Sequence, residues 1–235
     1  MGDALIVAGT AGSYALAWLI GKPLLVPILN TIASYPWMVA ALKRGDVRTA
    51  IRRMLVWAAT MGVCATAMSY TRPLSTNRLF LRGADYRNEM FEWVRTGHGA
   101  ESTPSVFIPA QARDAAIFSA AAIATGGALA MPMGAVLMNQ MGHYVGALAA
   151  WSAHPAATMI VGWHPWAVIR VASFVVIGVV LSIPLLSRVF GSAADVTAAA
   201  RRYLPWAAGG LIVDVMLKSL LAPSWQRLLL WIVGW

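Results

Sequence analysis

The sequence predicts an all-α polytopic integral membrane protein, with about six to seven transmembrane helices and one or two amphipathic helices at the interface. Three observations carry this. Hydrophobic residues fill 59% of the 235 positions and charged residues only 11%, where soluble domains carry about a quarter charged. Apolar runs recur that are long enough to cross a bilayer core, which takes about 20 residues at 1.5 Å each. The longest, residues 115–161, contains no charged side chain and is too long for one crossing. A single transmembrane domain, 1–235, accounts for the whole length.

Residues 4–20 form the first apolar segment. Met1-Gly2-Asp3 before it lacks the basic stretch of a cleavable signal peptide, so the segment is expected to persist. Residues 24–42 follow Gly21-Lys22-Pro23 and carry Pro27 and Pro36. The prolines disfavour a straight helix, so the two segments read as two crossings or as one kinked element.

Residues 43–53 (KRGDVRTAIRR) hold five basic side chains and one acid. Short basic loops stay in the cytoplasm, so this connection is expected there. Arg48, Arg52 and Arg53 fall on one helical side and Val47, Ala50, Ile51 and Met54 on the other. That pattern predicts an amphipathic helix lying on the inner leaflet. Residues 54–70 then cross, and 71–113 form the long polar segment, expected as a non-cytoplasmic loop. Within it, 85–96 reads as a short helix with acids in its first turn.

The run 115–161 reads as a hairpin broken at its most polar point, 138–143, giving crossings at 114–138 and 144–161. Small residues recur every fourth position: Ala122, Gly126, Ala130 and Gly134, then Gly142, Gly146 and Ala150. In lipid such a stripe lets helix backbones approach closely, so Gly126, Ala130, Gly134, Gly142 and Gly146 are the expected packing face. Residues 167–186 and 204–221 read as further crossings, joined by a short inner amphipathic connection at 191–202. Pro223 is expected to end the last crossing, leaving the tryptophan-rich tail in the interface.

The formal net charge of +9 sits between apolar runs, where it orients the chain in the membrane rather than binding nucleic acid. The lone Cys64 excludes an internal disulfide. Ionisable groups inside crossings are functional candidates. Asp214 and Lys218, four residues apart, read as an ion pair or a pathway, with Asn139 and His143 as further pathway candidates. Arg170 reads as interfacial. His98, His154 and His164 share one expected membrane face and are candidate metal ligands with Glu89, Glu92 or Glu101. Met131, Met133, Met138, Met141 and His143 offer soft ligands to Cu(I), or simply packing. No motif of serine hydrolases, zinc proteases, nucleotide loops or dinucleotide folds occurs, and no cofactor is expected.

Three roles follow from these features. The first is a non-catalytic subunit or scaffold of a larger membrane complex, whose partners are the lipid bilayer and other membrane subunits. The second is a small-solute or metal-ion permease. The third is a membrane enzyme with an outer-face histidine site. The expected location is a cell membrane crossed several times, of the bacterial inner-membrane kind.

Overall fold

A computed structural model describes residues 2–191 and 193–235. Among them the chain is helical throughout, with no strand. Six helices are long and apolar enough to cross a membrane: α1 (Gly2–Ile20), α2 (Leu25–Lys43), α3 (Val47–Thr71), α5 (Pro104–Thr125), α8 (Pro165–Phe190) and α9 (Val196–Val233). A shorter α4 (Gly83–Thr96) lies between α3 and α5, and a short α7 (Pro155–Val161) precedes α8. The remaining helix, α6 (Ala130–Ala150), has the length for a crossing at 21 residues. Its Asn139, Gln140 and His143 lower its apolar character, and most of its surface is buried by neighbouring helices.

The first two segments are separate helices that pack on each other. Gly21 turns the chain between them at φ +69°, a conformation that favours glycine. Asp3 at the start of α1 pairs with Arg52 and Arg53 at the start of α3. The chain therefore begins at the end of the bundle that carries the basic 43–53 connection.

That connection departs from expectation. Residues 47–53 are the first turns of α3, not a helix lying on the membrane surface. The Asp46 side chain caps the helix by accepting from the Thr49 N–H at 2.9 Å. Ala50, Ile51 and Met54 are buried against the bundle, so the apolar side of the pattern meets protein. The expected connection at 191–202 falls partly on Ser192, outside the described residues. Asp195 caps α9 through the Thr197 and Ala198 N–H groups, so residues 196–202 begin that helix.

The expected break at 138–143 is also displaced. α6 runs unbroken through it, and the chain turns instead at Gly126 (φ +59°) and Gly127 (φ +89°). Gly126 is thus the C-cap of α5 and does not share a helix with Gly134. The polar side chains of α6 do not break the helix because its neighbours satisfy them. Asn139 accepts from the Tyr14 hydroxyl and donates to Asn30 at 3.1 Å. Gln140 donates to the Leu81 carbonyl at 3.0 Å. His143 meets Ser69 at 2.8 Å and Asn77 at 2.9 Å.

The tightest packing is between α3 and α6. A Cβ on Gly142 would lie 2.6 Å from the Ala65 methyl. One on Gly146 would overlap the Thr66 carbonyl oxygen and sit 2.8 Å from the Ser69 Cβ. Both positions need glycine because α3 occupies the space, through the Ala65 methyl at Gly142 and through backbone at Gly146. Gly134 differs: a Cβ there meets only the Phe118 ring, at 3.7 Å.

At the end opposite the basic connection, two short 3-10 turns (Ser75–Arg78 and Ala100–Ser102), α4 and α7 form a cap. The polar segment ends earlier than expected, since α5 starts at Pro104. α9 continues through Pro205 and Pro223 to Val233, so the tryptophan-rich tail is helix rather than a separate interfacial strip. Its 38 residues span about 57 Å, beyond the roughly 30 Å of a bilayer core. Its last turns join the cap: Gln226 donates to the Val94 carbonyl at 2.6 Å, and Arg95 lies 4.3 Å from the Trp235 ring centroid.

Candidate ligand cavity

α5 packs along α8 and is poorly supported elsewhere. Between Phe107 and Phe118 none of its residues is buried. The gap it leaves is a cavity of about 740 Å³ between α5, α6 and α8, with α3 at its floor. It begins among the exposed Arg82, Asp85 and Glu89 of the cap and ends against Met38, Met54 and Met131. Those three methionines are at most 7% exposed. The cavity is thus closed toward the basic end, and its exposed lining lies at the cap and along the α5–α6 side, at Val106, Ile117 and Leu137.

Its cap-end wall is charged. Asp214 of α9 is fully buried and accepts two bonds from Arg170 of α8, at 3.0 and 3.1 Å. Gln111 of α5 also donates to it. Lys218, one turn further along α9, donates to Glu101 at 2.7 Å and lies 4.3 Å from the Phe107 ring centroid. Side-chain exposures of 3% for Lys218 and 14% for Glu101 place this second pair out of bulk water. The sequence pairs Asp214 with Lys218. Each has instead a partner from another helix or turn, and Arg170, partly exposed, is the partner of Asp214.

The adjoining aromatic cluster holds His164, stacked on Trp166 with centroids 4.7 Å apart and edge-on to Trp93 at 5.4 Å. His164 Nε2, Trp166 Nε1 and Gln111 Oε1 are buried without a hydrogen-bond partner, and all three residues line the cavity. Buried polar atoms are nearly always satisfied; these three are closed off behind the cavity surface and are a local cost of packing its wall.

Two groups here, both outside the six spanning helices, have displaced pKa values. Burial alone would raise that of Glu101, but Lys218, Arg170 and His164 outweigh it and hold the carboxyl below its ordinary value. Burial pushes His164 down to about 4, with Glu101 opposing and Lys218 and Arg170 reinforcing. His164 is therefore neutral near pH 7 and able to hydrogen-bond as a neutral ring.

The other candidates lie elsewhere. His98 and His154 are exposed, and no three His, Cys, Asp or Glu side chains among the described residues come together to hold a metal. Asn139 and His143 are absorbed in the hydrogen-bond networks of α6 and do not line the cavity. Ser69, His143 and Asn77 have the connectivity of a hydrolase triad. However, Ser69 is fully buried in the α3–α6 seam, where no substrate can reach it. Met131, Met133, Met138 and Met141 are spread along the cavity wall. Sequence reasoning offers Glu101 only as a partner for histidines and passes over Gln111. Their signal is thin: Glu101 lies in a polar turn, and Gln111 is an uncharged polar residue close to the charged Arg113 and Asp114 of α5.

Comparison with protein-family models, with curated proteins and with solved structures finds no match to this chain.

Proposed function

We propose that this multi-pass membrane protein binds a small molecule in the cavity between α5, α6 and α8, as a permease does in its one-side-open state. The observation that carries the reading is the cavity itself, closed at the basic end by Met38, Met54 and Met131 and bordered by exposed residues at the cap. Its volume falls within the roughly 300–1,000 Å³ of small-molecule sites. Intramembrane charges also mark substrate pathways by default, and Arg170 and Lys218 stand in the wall. The reading as a scaffold subunit draws on the absence of catalytic motifs, the small-residue packing face and the two amphipathic connections, and the histidine enzyme on His98, His154 and His164, of which only His164 lines the cavity. Neither accounts for the cavity.

The test is chemical access. In a Cys64→Ser background, Ala110→Cys and Gln140→Cys face the cavity, whereas Ile212→Cys faces away at 62% exposure on the outside of α9. An uncharged but strongly polar, membrane-impermeant thiol reagent added from the cap side should modify the first two and spare the third. If the cavity cysteines are as inert as Ile212→Cys, the binding role is wrong.

A further inference from the structure

Resting on that binding role, we infer that the ligand is a single-tailed amphiphile with an uncharged, hydrogen-bonding head. The cavity has two zones. Toward the cap it is walled by Gln111, His164, Arg170 and Lys218. Toward the basic end it is walled by Trp57, Met61, Phe118, Met131, Phe174 and Val179. From Arg170 to Ser182, both lining residues of α8, is about 18 Å at 1.5 Å per residue. That depth suits an extended chain lying beside the helix.

The charges decide the head. Arg82 pairs with Asp85, Arg113 with Asp114, Arg170 with Asp214 and Lys218 with Glu101. Among the described lining residues only Glu89, on the exposed rim, has no ion-pair partner. A charged head entering the cavity would lose its water without gaining a free counter-charge, a transfer that is strongly unfavourable. A neutral head with both acceptors and donors loses nothing comparable. Gln111 and Arg170, both partly exposed in this wall, can hydrogen-bond it. The weakly held half of α5, from Phe107 to Phe118, flanks this zone and gives a tail a route from the bilayer.

The experiment uses the full chain in nanodiscs, carrying Cys64→Ser and Ala110→Cys, and follows the rate of thiol modification. Monooleoylglycerol supplies a neutral head and one tail. At ten times its dissociation constant only the unoccupied fraction reacts, so the rate should fall roughly tenfold. Glycerol alone should not protect, and oleate and oleylamine should protect less. Adding Gly134→Leu, which fills the apolar zone, should remove the protection while leaving the cysteine reactive. A cysteine at Arg48, at the basic end, should react at an unchanged rate throughout. No protection by monooleoylglycerol, equal protection by glycerol, or stronger protection by oleate or oleylamine would overturn the assignment. A cysteine unreactive before any additive would instead contradict the open cavity on which it rests.

Discussion

Arg170 of α8 and Asp214 of α9 form a two-pronged ion pair, 3.0 and 3.1 Å between heavy atoms, with the carboxylate fully buried and the guanidinium about a quarter exposed. It clamps the two helices beside the cavity. Removing one partner of a buried pair costs about 3–5 kcal/mol because the other charge is stranded. Since Arg170 keeps some access to water, Asp214→Leu should lie near the lower end. The double variant Arg170→Met with Asp214→Leu should recover most of that loss. Melting temperatures of both variants in detergent test this, and a double variant no more stable than the single one would refute the clamp.

The α3–α6 seam gives a sharper contrast. Gly146→Ala must push α3 backbone aside, and overpacking of this kind costs about 1–3 kcal/mol. Gly134→Ala meets only ordinary contact with Phe118 and should be neutral, or stabilising by up to about 1 kcal/mol from helix propensity. The comparison is a pair of thermal melts. Equal destabilisation by the two substitutions would mean that the seam is not where the structure puts it.

Acid should destabilise the fold. Glu101 and His164 both have pKa values below their ordinary ones, so each binds fewer protons folded than unfolded, and stability rises with pH. The His164 contribution is complete above 6.5 and is lost as pH falls toward about 4. The Glu101 contribution is lost below its ordinary value of 4.5. The melting temperature should therefore fall from pH 6.5 downward and keep falling below 4.5 as Glu101 takes up its proton. His164→Phe should flatten the upper part only. A melting temperature that rises on acidification would reverse the assigned sign.

The two ends of the bundle should face opposite sides of the membrane. In a Cys64→Ser background, cysteines at Gly2 and Arg48 should label from one side and a cysteine at Gly99 from the other. By the positive-inside rule the first side is the cytoplasm. The pairing of Asp3 with Arg52 ties Gly2 to Arg48, so labelling of those two from different sides would contradict the bundle.

Much of the bundle is legible in the sequence because lipid imposes a local rule: each crossing must itself be apolar and long. The small-residue rule is local too, and Gly142 and Gly146 lie against α3. It fails at Gly126, because two adjacent glycines at positive φ end α5 there. Polarity at 138–143 misleads for the opposite reason. Tyr14, Asn30, Ser69 and Asn77, all remote in sequence, supply the partners that let α6 continue. The candidate site was least legible. Lys218 pairs with Glu101 across 117 positions and Asp214 with Arg170 across 44, whereas sequence spacing shows only the four-residue step between Asp214 and Lys218. The cavity itself comes from the loose packing of α5, which no residue pattern announces.

The ligand cavity is tested most directly by weighing the protein as it leaves its native membrane. Gly134 lines the cavity and has room for a side chain there, so Gly134→Leu should displace a bound molecule while leaving the helices in place. Native mass spectrometry of the parent chain should show one small amphiphile retained per chain, and Gly134→Leu should show none. Two bare chains, or the same adduct on both, would contradict a ligand held between α5, α6 and α8.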